Sequence, residues 1–99
     1  MYIVKVTNGK VELYDSRGCY KRTIVHNNAV FADIDVTQTK IVVTFMNGKV
    51  ELYTDRGCYQ RVICHNNATQ ARWAGNDIAV TKNGYVEIYS DRGCYIRRI

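Results

Sequence analysis

Residues 47–63 read NGKVELYTDRGCYQRVI, and the chain writes nearly the same words twice more. Residues 8–24 are NGKVELYDSRGCYKRTI, and residues 83–99 are NGYVEIYSDRGCYIRRI. Asn-Gly is the strongest short hairpin signal, because a type I′ turn needs positive φ at both central residues. The segments that lead into it, residues 3–7, 41–46 and 78–82, are rich in β-branched side chains. The segments that follow alternate. Val11 and Leu13 take one face, and Glu12 and Tyr14 the other, which is the period of a half-buried strand. A second turn comes next: Ser16-Arg17-Gly18, Asp55-Arg56-Gly57 and Asp91-Arg92-Gly93. Its glycine suits the left-handed position of a three-residue loop with a bulge. A third strand then runs over residues 19–25, 58–64 and 94–99.

The second turn implies a register. A three-residue loop sets Tyr14 opposite Tyr20 and Glu12 opposite Arg22. In the other copies it sets Tyr53 opposite Tyr59, Glu51 opposite Arg61, Tyr89 opposite Tyr95 and Glu87 opposite Arg97. Each copy thus expects an aromatic pair beside an ion pair, worth roughly 0.2–1 kcal/mol apiece. Burial of one Val or Leu contributes about 1.5–3 kcal/mol. The apolar face therefore decides the fold, and the pairs decide the register.

Between the copies lies a linker with its own echo. His26-Asn27-Asn28-Ala29 recurs as His65-Asn66-Asn67-Ala68. A fourth strand follows it, in which Val30, Ala32 and Ile34 match Thr69, Ala71 and Trp73 by position. The complete unit has four strands, and eleven are predicted where twelve would complete three units. The shift from Cys19 to Cys58 is 39 residues, and from Cys58 to Cys94 it is 36. Periods of this size signal stacked or radial repeats, whose units cannot bury an apolar face alone. The chain reads as a single domain, 1–99, of three repeats: 1–25 (incomplete), 26–64 and 65–99. No proline interrupts any strand.

Composition sets further bounds. At 99 residues and 46% hydrophobic the chain is one small all-β domain with a limited core. It has no apolar run near the roughly 20 residues of a membrane span, and no secretory signal. The expectation is a cytoplasmic protein without a membrane partner. Its four cysteines are then expected to be reduced. No CxxC spacing points to zinc, and the adjacent Cys64 and His65 face opposite sides of a strand. No metal and no cofactor are expected. The net charge of +5 is basic and favours acidic partners through long-range steering.

The run from His65 to Asp91, HNNATQARWAGNDIAVTKNGYVEIYSD, resembles a blade of a WD-repeat-type β-propeller. Such blades show a His before the innermost strand, small and apolar residues along it, and a Gly-ending turn into the third strand. That strand closes with an aromatic-Asp pair. The resemblance implies that residues 68–73 are the inner strand, 78–82 the second, 85–90 the third and 94–99 the outermost. Tyr-Asp or Tyr-Thr-Asp stands where the family has Trp-Asp, and the Gly before the His is absent. Propellers close with four to eight blades, so three need a partner. The expected architecture is half of a six-bladed β-propeller, closed by homodimerisation through head-to-tail contacts. The first repeat lacks an inner strand. Either that blade has three strands, or the inner and outer edges are reversed. The alternative is a small β-trefoil, which also has three four-stranded units but needs twelve strands.

No acid-base or nucleophile set stands out, so the expected function is non-enzymatic. It is a binding module whose ring surface engages a protein or ligand. The loops His26, Asn27, Asn28 and His65, Asn66, Asn67 would share one face of the ring with the Asn-Gly turns. A loop histidine also has a structural reading, bonding the loop to a neighbouring strand. The opposite face would carry Arg17, Arg56 and Arg92 at the turn tips. Turn arginines are usually just solvated, but six around one axis would sum to a positive potential that holds a phosphate-bearing ligand. Asp33 and Arg72 stand at matching inner-strand positions, to line a channel or to pair across it. Trp73 and the six repeated tyrosines read as packing. Two alternatives to the binding module remain: a binder of nucleic acid or an anionic nucleotide, and a carbohydrate-binding module. The mid-strand placement of the aromatics counts against the last.

Overall fold

The computed structural model describes residues 1–99 and contains eleven strands and no helix. The first sheet is β1 (Tyr2–Thr7), β2 (Lys10–Asp15) and β3 (Tyr20–Val25). The second is β4 (Ala29–Ile34), β5 (Lys40–Phe45), β6 (Val50–Thr54) and β7 (Tyr59–Cys64). The third is β8 (Gln70–Ala74), β9 (Asp77–Lys82), β10 (Tyr85–Tyr89) and β11 (Tyr95–Arg98). Each is an antiparallel meander in chain order, and none is closed. The edges that meet are β1, β4 and β8, since β4 packs against both of the others. The first sheet has three strands, and β1 stands at its converging edge. No helix is long and apolar enough to cross a membrane.

The core fills the two gaps between sheets. In the first gap, Val11, Leu13, Ile24 and Val25 meet Ile41 and Val43. In the second, Val42, Val50, Leu52 and Ile63 meet Ala71, Ile78 and Val80. Alternation along β5 sends Ile41 and Val43 one way and Val42 the other. The middle sheet is buried on both faces, which is why residues 41–43 are apolar without a break. Val30 is the exception to the expected period. A bulge between Ala29 and Phe31 leaves it 49% exposed, off the face it was expected to share with Ala32 and Ile34.

The aromatic half of the register is present. Tyr14–Tyr20, Tyr53–Tyr59 and Tyr89–Tyr95 are directly opposed and T-shaped, with ring centroids 5.9, 5.8 and 5.8 Å apart. The ionic half is not. Glu12 faces Thr23, Glu51 faces Val62 and Glu87 faces Arg98, while Arg22, Arg61 and Arg97 face Leu13, Leu52 and Ile88. A bulge after each tyrosine pair offsets the strands by one residue, and a one-residue offset moves a side chain to the other face. The glutamates instead accept from the tyrosine hydroxyls, at 2.9 Å (Tyr14 to Glu12), 2.7 Å (Tyr53 to Glu51) and 2.8 Å (Tyr89 to Glu87).

The Asn-Gly turns also differ from one another. Only Asn8-Gly9 has both residues at positive φ, 51° and 79°, as type I′ requires. Around Asn47-Gly48 the hairpin widens. Phe45 N–H donates to Lys49 O at 2.8 Å, and Gly48 N–H donates to Phe45 O at 2.9 Å. At Asn83-Gly84 only the glycine is left-handed.

Candidate functional site

The linker loops are shaped by an asparagine in each. Asn28 and Asn67 sit at φ 65° and 66°, a left-handed conformation that asparagine tolerates better than most residues. The kink lays each linker on the hairpin turn of the preceding sheet or its own. Ala29 N–H donates to Gly9 O at 3.0 Å, and Ala68 N–H donates to Gly48 O at 3.0 Å. Met46 N–H donates to Asn28 O at 2.8 Å. The approach is close: a Cβ on Gly9 would lie 2.8 Å from Asn28 N, and one on Gly48 2.5 Å from Asn67 N. Glycine is required at both turns for this contact as well as for the turn itself.

This placement opens a cleft of about 380 Å³ between the first linker and the middle sheet. His26, Asn27 and Asn28 form one wall. Asn47, Lys49, Glu51 and Tyr53 form the other, with Phe45 beside them. Lys49, Glu51 and Tyr53 recur every second residue and so share one strand face. Glu51 Oε1 accepts from Tyr53 Oη at 2.7 Å, and its Oε2 lies 3.2 Å from Lys49 Nζ. Burial, and then the Glu51 carboxylate, push the Tyr53 phenol well above its ordinary value, so it is a donor at any physiological pH. Asn28 Nδ2 donates to Asn27 Oδ1 at 3.2 Å. His26 is exposed, and its imidazole makes no hydrogen bond. The cleft therefore offers amides, a cation, a carboxylate and a phenol around an aromatic ring, a set suited to a small polar ligand.

The second linker is different. His65, Asn66 and Asn67 are exposed like their counterparts, but no cavity opens beside them. Lys82 occupies the strand position that Phe45 holds in the middle sheet. Its ammonium lies 2.9 Å from Glu87 Oε1, with the side chain only 12% exposed. Glu87 holds that ammonium charged to well above the ordinary lysine range.

The arginine turns lie at the other end of the sheets. The residue before each turn fixes its backbone. Asp15 Oδ1 accepts from Arg17 N–H and Cys19 N–H, both at 2.9 Å, and Thr54 and Ser90 hydroxyls do the same for the other two turns. The guanidinium groups of Arg17, Arg56 and Arg92 are exposed and make no hydrogen bond or ion pair. Three residues further on, Tyr20, Tyr59 and Tyr95 are 55%, 54% and 55% exposed. Half of the six repeated tyrosines therefore lie on the surface instead of packing between sheets. The placement of the aromatics no longer counts against a ligand that stacks on rings.

Asp33 and Arg72 are not brought together. Asp33 Oδ2 accepts from Trp73 N–H at 2.9 Å, tying β4 to β8, and Arg72 is exposed without a partner. Ala71 N–H donates to the buried Thr44 Oγ1 at 2.9 Å and makes another tie between those sheets. Trp73 packs against the second core cluster, but its Nε1 is buried without an acceptor. No group of three or more His, Cys, Asp or Glu side chains gathers to hold a metal ion. All four cysteines are free, with Cys64 buried and the others exposed.

The middle-sheet wall of the cleft is what the sequence reading missed. Alternation already put Glu51 and Tyr53 on one face, but the side over which the linker passes depends on the left-handed Asn28. Among curated proteins, none matches this chain. The sequence profile of the family described as "Helicobacter pylori IceA2 protein" matches residues 1–63, which include both walls of the cleft. With that match covering more than half of its length, the chain belongs to the IceA2 family.

Proposed function

We propose that this protein is a non-enzymatic binding module that takes a small polar ligand, free or displayed on a protein, in the cleft between the His26–Asn28 wall and the middle sheet. The cleft carries the reading. Its volume of about 380 Å³ falls in the range of small-molecule sites, and its polar groups converge on one space. The scaffold we propose is a WD-like half-propeller, completed to six blades by a second copy and working in the cytoplasm. The meander order of each sheet and the convergence of β1, β4 and β8 support it. A panel of monosaccharides, amino acids and short peptides, followed by amide chemical-shift mapping, tests the site. Binding is expected to shift His26, Asn27 and Asn47 and to be lost in Asn27→Ala. Shifts confined to other residues would end the reading.

A second reading is favoured by the unpaired guanidinium groups of Arg17, Arg56 and Arg92. They are free to meet phosphate, in a chain of net charge +5. A nucleotide or oligonucleotide ligand predicts affinity that drops steeply with salt. It also predicts weakening in Arg56→Ala while the cleft variants bind normally.

A further inference from the structure

The two gaps between sheets are built alike, and the third sheet carries the same contact surface with nothing on it. In the first gap Arg22 Nη1 donates to Asp55 O at 2.7 Å; in the second, Arg61 Nη1 donates to Asp91 O. Asp55 and Asp91 open the Arg-Gly turn of the following sheet, and the first sheet has Ser16 at that position. The turn glycine of the following sheet fits beside the same strand. A Cβ on Gly57 would lie 3.9 Å from Ile24 Cδ1, and one on Gly93 3.9 Å from Ile63 Cδ1. Ile24 and Ile63 are each 5% exposed beneath these contacts, whereas their counterpart Ile99 is 77% exposed. Arg97, the counterpart of Arg22 and Arg61, is exposed with no partner. At the far end of the molecule, Gly18 has nothing within 4 Å of its Cβ position. Ile3, the counterpart of the fully buried Ile41 and Ile78, is 49% exposed.

We propose that the third sheet of one copy docks on the first sheet of a second copy, repeating the internal contact, with Arg97 donating to the partner's Ser16 carbonyl and Ile99 and Ile3 closing over each other. The occupant is a second copy because each half of the contact already exists in this chain, and each half is seen to mate twice inside it. One position departs from the pattern: Lys5 stands where Val43 and Val80 are buried. The facing surface departs with it. Ala79 stands where Val42 lies in the middle sheet, and its smaller side chain leaves room for the aliphatic stem of Lys5. The contact is heterologous, so it closes into a ring or runs on as a chain according to its rotation. The inference rests on the self-association in the proposed scaffold and specifies which surfaces make it.

A complementation experiment tests it. Ile3→Asp damages one surface and Ile99→Asp the other, both at exposed positions where the fold tolerates polarity. Each variant alone is expected to lose self-association by at least about tenfold in dissociation constant, as for a core residue of an interface. An equimolar mixture retains one intact surface on each chain. It is expected to form a one-to-one complex, seen in native mass spectrometry at twice the 11.4 kDa chain mass. A wild-type monomer at high concentration would overturn both the inference and the scaffold. A dimer that survives both substitutions, or a mixture that stays monomeric, would overturn the inference and leave self-association through another surface standing.

Discussion

Arg22 lies on one sheet and the carbonyl of Asp55 on the next, yet they meet at 2.7 Å, and Arg61 repeats the bond to Asp91. The arginine stem crosses the apolar face, and its head ends at the neighbouring turn. Each arginine thus fixes the angle between two sheets, where its expected role was to pair within one.

Arg22→Ala and Arg61→Ala are expected to lower stability by about 1.5–3 kcal/mol, the range for hydrogen bonds to a charged group. Urea denaturation measures it. Substituting Arg22 by Gln, with a shorter neutral amide, is expected to recover less than half of the loss.

Ile24→Ala and Ile63→Ala each leave a hole in a packed gap and are expected to cost about 2–5 kcal/mol. Ile99→Ala, at 77% exposure, is expected to change the unfolding free energy of the monomer by less than about 0.5 kcal/mol. The same side chain on one repeat position thus has two expected values, set only by whether a sheet covers it. Thermal unfolding at dilute concentration compares them.

Gly48→Ala and Gly84→Ala separate backbone strain from collision. Both glycines are left-handed, at φ 85° and 81°. An alanine at Gly84 meets nothing within 4 Å, so it carries only the conformational cost of about 1–2 kcal/mol. At Gly48 its Cβ would also strike Asn67 N, and the second linker must lift. Gly48→Ala is expected to be the more damaging, with faster amide exchange at Ala68, whose N–H bonds to Gly48 O.

Acid is expected to loosen the fold through named carboxylates. Burial raises the Asp35 carboxyl, but the Thr37 hydroxyl and the Lys40 and Thr39 amides outweigh it and hold it below its ordinary value. Lys82 and then Tyr89 lower Glu87, and Lys40 lowers Asp91. A carboxyl whose folded pKa is depressed adds stability above its unfolded pKa, and that stability is lost as pH falls through the folded value. The melting temperature is therefore expected to be level from neutral pH down to about 5 and to fall below about 4. In Asp35→Asn the neutral-pH value should drop and the acid slope should flatten.

Trp73→Phe removes a buried N–H that has no acceptor. The relief of about 1–3 kcal/mol for an unsatisfied donor offsets the lost ring area. Stability is expected to stay within about 1 kcal/mol of wild type, whereas Trp73→Ala is expected to cost about 3 kcal/mol or more.

Strand number, strand direction and the tyrosine pairs were legible in the chain because they depend on local chemistry. An Asn-Gly or Arg-Gly turn with alternating neighbours specifies a hairpin within some 15 residues. The threefold writing of that hairpin also exposed the repeat and the need for each sheet to be covered by another. The tertiary structure decided what lies between sheets. The bulge that turns the arginine to the other face recurs in all three hairpins, but only Arg22 and Arg61 find a carbonyl on a neighbouring turn, and no count of residues along one strand contains that neighbour. The same holds for the cleft. His26 is far in the chain from Lys49 and Tyr53, and it faces the same space as they do only because Asn28 turns left-handed and Gly9 has no Cβ to stop the linker from settling on it.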